Sequence, residues 1–222
     1  MKSVTRRKQQ QDDLRAKILD AARELFVTEG VEAVSMRKVA EKIGYSATTL
    51  YNYFEDKEAL LYALCDADFG TLQESFKKIG KIVDPIERLR KLGQAYITFA
   101  LRYPSHYRLM FMTPRVPRGE EACREIERDN PDQDSYAFVR ATVIEGLAAG
   151  VFRADFQDAD LLSQVVWSGV HGVAALHLIM GKDDWVQWRP VEELARTAID
   201  VMIRGMVKNR RGRAELADGD RD

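Results

Sequence analysis

Between Asp12 and Glu29, apolar side chains recur at Leu14, Ile18, Ala21, Ala22, Leu25 and Phe26. This three-or-four spacing predicts an amphipathic helix with one buried face. Gly30 stands where a left-handed residue would end it. Ser35 is a good N-cap and opens a second pattern, with Met36, Val39, Ala40 and Ile43 on one face and Gly44 as its stop. Ser46 caps a short third helix in which Ala47, Leu50, Tyr51 and Phe54 share a face. Asp56 caps a fourth, from Lys57 to about Ile79, striped by Cys65, Phe69, Leu72, Phe76 and Ile79.

The helical period persists to the end. Asp84-Pro85 pairs an N-cap acid with a first-turn proline, and Ile86, Leu89, Gly93, Tyr96, Ile97 and Ala100 carry that helix to about Arg102. Pro104 opens a short segment, His106 to Met112. Thr113 to Asp134 holds three prolines and many charges, which predicts loop mixed with frayed helix. Further helices are expected from about Asp134 to Ala149, from Asp158 or Asp160 to Met180, and from Pro190 to about Met206. No period-two alternation is long enough for a sheet, and no internal repeat occurs. The fold class is all-α, with about nine helices: a compact head over residues 1–56, a larger helical domain over 57–207, and a polar tail over 208–222 expected to be disordered.

With 222 residues, 45% of them apolar, disorder along the whole chain is excluded. The 34 basic and 35 acidic residues leave a net charge of −1, so bulk positive charge does not coat nucleic acid; any DNA contact needs basic residues placed locally. No apolar run approaches the roughly 18 residues of a membrane span, and MKSVTRRKQQQDDLR lacks the apolar core of a signal peptide. Cys65 and Cys123 fit neither metal spacing nor a disulfide framework. The expectation is a soluble cytoplasmic protein with reduced thiols, no membrane partner, no metal and no cofactor. An all-helical enzyme or a scaffold without DNA binding are the competing classes. Enzyme chemistry finds little support: His171 and His177 are six residues apart, on different helix faces, His106 stands alone, and no His-Glu-x-x-His motif or glycine-rich phosphate loop occurs.

The informative stretch is Ser35 to Lys57, SMRKVAEKIGYSATTLYNYFEDK. A helix, a short turn containing Gly44 and a second short helix form a helix-turn-helix. Val39, Ala40 and Ile43 face Ala47 and Leu50, which leaves Ser46, Thr48, Thr49, Asn52 and Tyr53 outward. Small hydrogen-bonding groups near a helix N-terminus suit the major groove; a plain helical hairpin with a polar surface has the same pattern. The wider pattern AARELFVTEGVEAVSMRKVAEKIGYSATTLYNYFEDKEALL decides between them. With Ala22, Leu25, Phe26, Gly30, Ser35, Val39-Ala40, Gly44 and Leu50-Tyr51-x-Tyr53-Phe54-x-x-Lys57-x-x-Leu60, residues 12–63 resemble the N-terminal domain of the tetracycline-repressor family of bacterial transcription regulators. The resemblance implies base reading by Ser46, Ala47, Thr48 and Thr49, and backbone contacts by Tyr51, Asn52 and Tyr53. It also implies phosphate contacts by Lys57 and by Ser35 and Arg37. Ala47 and Thr48 are short where some relatives place lysine or arginine, so readout leans on threonine and on DNA shape. For Lys2, Arg6, Arg7 and Lys8 ahead of the first helix two readings stay open, a solvated terminus or an arm against DNA. The basic residues Lys208, Arg210, Arg211 and Arg213 read as a tail.

Residues Asp158 to Met180 are apolar almost all round, which implies burial of one face in the chain's own domain and of the other against a second copy. Ser168, Gly169, Gly172 and Ala175 permit close approach. With Leu194, Ala198, Val201, Met202 and Met206 of the last helix, they predict a homodimer through the last two helices. Trp167, His171 and Gly172, with Tyr103-Pro104 and Tyr107-Arg108-Leu109-Met110-Phe111, resemble the family's Trp-His-Gly subtype of C-terminal domain. The resemblance implies a small-molecule inducer of unknown identity. Phe99, Tyr103, Tyr107, Met110, Phe111, Phe138, Trp167 and His171 are the candidate lining, with plain core packing the competing role of each. The implied function is a ligand-responsive repressor that binds a palindromic double-stranded DNA operator as a homodimer.

Overall fold

The computed structural model describes residues 2–112, 127 and 129–208. Cys123, most of the expected loop after Thr113 and the tail with Arg210, Arg211 and Arg213 lie outside them. Among the described residues the chain forms α1 (Lys2–Glu29), α2 (Met36–Ile43), α3 (Ala47–Tyr51), α4 (Lys57–Lys77), α5 (Pro85–Arg102), α6 (Pro104–Phe111), α7 (Ser135–Ala148), α8 (Ala159–Met180) and α9 (Val191–Met206), with one 3-10 turn at Ile79–Lys81. The all-α expectation holds; pairing of extended backbone there is confined to an isolated bridge, Phe152 with Val207.

Local chemistry sets most boundaries. Ser35 accepts from the amide of Lys38, Asp134 from those of Tyr136 and Ala137, and Asp158 from those of Asp160 and Leu161, each satisfying amides that a helix start leaves open. Gly44 ends α2 in the left-handed region at φ 76°, where a side chain would be strained. One boundary departs from expectation: α1 begins at Lys2, not near Asp12. The intervening Arg, Lys and Gln are strong helix formers, and with no glycine or proline among them nothing stops propagation from the packed part.

Packing divides the chain into two compact units, Met1–Leu72 with Arg102–Glu127, and Gln73–Leu101 with Arg128–Asp222. In the first, Ile18, Ala22, Leu25 and Phe26 of α1 share a core with Val39, Ala40 and Ile43 of α2, Leu50 of α3, Leu60 and Leu64 of α4 and Leu109 of α6. The buried line of α4 is Leu60, Leu64, Asp68, Leu72 and Phe76, while Cys65, Phe69 and Ile79 of the expected stripe are only half-buried. Asp68 is the reason hydropathy misplaced that stripe. Its side chain is 0% exposed, and Arg23 of α1 answers it with Nη2 at 2.7 Å and Nε at 3.1 Å. His106 of α6 brings Nδ1 to 2.9 Å of the same carboxylate.

In the second unit α8 packs between α7 and α9. Gly169 lets the Met202 side chain of α9 lie directly on α8; a Cβ there would force that side chain to shift. By length and composition α8 is long enough to cross a membrane, contrary to the expectation for this sequence. Ser163, Gln164, Ser168 and His171 interrupt its apolar residues, so a count of uninterrupted runs passes over it. A third of that window is buried within the chain itself.

Removing the carboxylate alone leaves Arg23 buried without its main partner. Asp68→Ala is expected to destabilise the first unit by about 3 kcal/mol, and Arg23→Met with Asp68→Leu to recover most of the loss. Urea unfolding of wild type and the two variants measures both, and an unchanged midpoint for Asp68→Ala would show that the pair does not hold these helices.

Candidate nucleic-acid interface

The ten candidate contact residues all fall in the first unit. α3 has five residues, too few to stand alone, and its position comes from Leu50 and Phe54, both buried in the core. Ser46 caps it, accepting from the Thr49 amide at 3.2 Å, and the two hydroxyls lie 3.0 Å apart. Ser46 and Thr49 therefore fix the helix start, and Thr49 is half-buried. Thr48 projects outward between them, Ala47 is half-buried, and Asn52 is exposed.

The two tyrosines exchange the places expected of them. Tyr51 is 53% exposed, not on the inner face. Tyr53 packs half-buried against the core, in the turn after α3 whose Phe54 amide still bonds the Leu50 carbonyl at 3.0 Å and whose Phe54 ring is buried. Ser35 is exposed and occupied as the cap of α2. Arg37 is exposed with its Nε 2.8 Å from Glu41, a bond that raises its already high pKa. Lys57, half-buried, donates to the Val31 carbonyl at 3.0 Å and so ties the start of α4 to the loop before α2. One of its three donors is used in this way.

Two further groups share this surface. Tyr45, exposed in the turn ahead of α3, lies under the Lys17 ammonium at 5.6 Å, and Lys17 also donates to the Ile43 carbonyl. The sequence signal for Tyr45 was its place between the turn glycine and the Ser46 cap. Lys17 had none, because its partner is 26 residues away.

The eight candidate ligand residues divide between the units. In the first, Tyr107 and Met110 are fully buried, Tyr107 packs on Phe111, and Tyr103 on His106. In the second, Phe99 is buried and Phe138 packs on Phe76. Trp167 and His171 are brought together by Tyr96, which sequence reasoning had placed only in a helix stripe. Trp167 Nε1 donates to the Tyr96 hydroxyl at 3.2 Å, and that hydroxyl lies 2.9 Å from His171 Nδ1. Burial pushes the His171 pKa down from its ordinary value, so the ring is neutral at pH 7. An open cleft of about 250 Å³ in this unit is lined by Leu147, Phe152, Arg153, Phe156 and their neighbours, none of them among the eight. No cluster of side chains that could hold a metal ion occurs among the described residues.

Two family models match this chain. Bacterial regulatory proteins of the tetR family match over residues 18–64, and the tetracyclin repressor-like C-terminal domain matches over 89–202, about half of the chain by itself. The chain belongs to the tetracycline-repressor family. An uncharacterized HTH-type transcriptional regulator of Mycobacterium tuberculosis is 39% identical over 115 residues, 50% of this chain and 55% of that protein; the chain thus spans about half the length of this curated relative. A tetR-family regulator from Marinobacter aquaeolei superposes with a TM-score of 0.71 at 21% identity, covering 91% of this chain and 100% of that one. The regulator FadR from Bacillus subtilis, solved in complex with stearoyl-CoA, gives 0.69 at 17%, covering 86% and 98%. Both share the fold of this tetracycline-repressor family member. The helix-turn-helix lies wholly inside the first match, and Trp167 and His171 inside the second.

The depressed His171 pKa has a sign that can be tested. The unfolded chain binds a proton at the ordinary value of 6.5, whereas the folded chain resists it to a lower pH. Its contribution to stability is complete above about pH 6.5 and is lost as pH falls through the lowered folded value. Wild type is therefore expected to lose more stability than His171→Asn between pH 7.5 and 5, read by urea midpoints. Parallel losses would mean that His171 titrates alike in both states.

Proposed function

We propose that this chain is a homodimeric transcriptional repressor of the cytoplasm. It occupies a palindromic DNA operator and leaves it when a small-molecule inducer binds. The observation that carries the reading is Thr48, held outward in the middle of a capped and buried-anchored α3, with Tyr51 and Asn52 exposed beyond it. A short helix presented this way fits the major groove N-terminus first. Thr48 reads a base edge or a thymine methyl, while Ser46, Ala47 and Thr49 set the approach. Tyr51, Asn52, Ser35, Arg37 and the remaining donors of Lys57 take phosphates, with Tyr53 a buttress behind them.

The second copy is supported by α8. Leu161, Val165, Ser168, Gly172, Leu176 and Ile179 recur at helical spacing along one line, and Leu161, Val165, Leu176 and Ile179 are exposed. Val201 of α9 is exposed as well. A line of large apolar groups around a small centre fits a two-fold helix pairing, and a dimer would set two α3 helices about one DNA turn, roughly 34 Å, apart. By role, residues 1–56 read DNA together with Lys57 at the junction, and the rest of 57–207 binds ligand and partner. The inducer reading rests on the aromatic and apolar character of Tyr103, Tyr107, Met110 and Phe111 in the first unit and of Phe99 and Phe138 in the second, where Tyr96 also joins Trp167 and His171. FadR, a fold neighbour, was solved with stearoyl-CoA. An inducer that prefers one spacing of the α3 pair weakens DNA binding by the same factor that DNA weakens inducer binding.

Selection from random duplexes by the purified chain at near-physiological salt is expected to enrich a two-fold symmetric site. A folded dimer that enriches nothing, also after unfolding and refolding to strip bound ligand, would sink the reading. On the selected site, Thr48→Ala is expected to relax preference at one base pair per half-site by about 1 kcal/mol. Lys57→Ala should weaken all duplexes alike and reduce the salt slope by roughly one per chain. A changed sequence preference in Lys57→Ala would mean that the docking geometry is wrong.

A further inference from the structure

We propose that the first three turns of α1 form a rigid basic rod that grips DNA backbone phosphates beside the half-site. This rests on the DNA-binding reading above. Leu14 is the first α1 residue packed against the core, so residues 2–13 overhang it by about 18 Å at 1.5 Å per residue. Arg6, Arg7 and Lys8 are exposed on that overhang.

Helical register settles where they point. Arg6 lies eleven residues before Lys17, three turns and about 20°, and Lys17 reaches the α2–α3 turn at the Ile43 carbonyl and the Tyr45 ring. Lys8 lies seven residues before Arg15, about 20° short of two turns, and Arg15 sits over the Phe54 ring at 5.5 Å just past α3. Arg7 is in line with Leu14 and Ile18, on the side that α1 buries lower down. Each cation thus continues a line of α1 that touches the helix-turn-helix, or packs toward its core, further along the chain. Past the core the buried side of α1 carries Gln11 and Gln10 and then Arg7, while Asp13, which accepts from Gln9, and Asp12 lie one to two turns along near the lines of Arg6 and Lys8. A duplex seated against α3 would lie beneath that side and meet the three cations with its phosphates. Because the helix is continuous from Lys2 to Glu29, the charges are held at fixed spacing, unlike those of a loose tail.

The test uses the full chain, its selected operator and an unrelated duplex, with binding followed by fluorescence anisotropy across a salt series. Arg6→Ala, Arg7→Ala and Lys8→Ala combined keep helix-forming residues, and circular dichroism melting checks that the fold is retained. The triple variant is expected to lose roughly tenfold or more on both duplexes, with the salt slope falling by about two to three per chain and base preference unchanged. Gln10→Pro keeps all three cations but breaks the helix at the overhang, and is expected to lose a comparable factor. If wild type binds its operator and the triple variant matches it in affinity and slope, the rod has no part in binding and this proposal alone falls. If the triple variant weakens while Gln10→Pro binds as wild type does, charge acts without rigidity and the rod is overturned. A wild-type chain that binds no duplex overturns the regulator reading, and the rod with it.

Discussion

A carboxylate with no access to water organises the first unit. Asp68 gains nothing from solvent, so its charge must be met by the protein, and Arg23 meets it with two nitrogens while His106 stands at its other side. These three residues come from α4, α1 and α6, so satisfying one charge fixes the rotation of three helices about their axes. Apolar packing tolerates small rotations, but a forked guanidinium on a buried carboxylate does not. α3 inherits that order. With five residues it has no stability of its own, and it takes its place from a core whose walls are these helices.

The functional surface is accordingly a product of burial behind it. Leu50 within the last turn of the short helix and Phe54 just past it are held in the core, and Tyr53 in the turn between packs against the same core. What is left facing outward is narrow: one threonine, one tyrosine, one asparagine and the cap. Lys57 and Lys17 reach back from neighbouring helices to the carbonyls of Val31 and Ile43, fastening the loops on either side of α2. Lys57, which sequence patterns mark as a candidate for DNA, is therefore also a structural tie.

The parts of this molecule legible in its sequence are those decided within a few residues. Ser35, Ser46, Asp134 and Asp158 cap the helices they precede, and Gly44 takes the left-handed turn, because caps and turns are settled by local hydrogen bonds and sterics. The family pattern is legible for the same reason, since it gathers many such local choices. The start of α1 was not, because the Arg- and Gln-rich segment has no apolar period to count. Asp68 and Tyr96 were not either. Their roles depend on partners 45 and 71–75 residues away, and hydropathy assigns a carboxylate to the surface by default. Tyr53 was misplaced because a helical face was extended past Tyr51, the last residue of α3.

The hydrogen bond between the Ser46 and Thr49 hydroxyls separates two demands that usually compete. It completes the start of α3 from within, so Thr48, the exposed one of the two residues between them, is relieved of any duty to the fold. Residue 48 touches neither the core nor the cap, and its side chain can be exchanged without drawing on the few kcal/mol that keep a domain folded. Lineages carrying this arrangement can explore new binding preferences at that position while the scaffold stays constant. Conformational order is inherited from the neighbours, and chemical identity is left open to change.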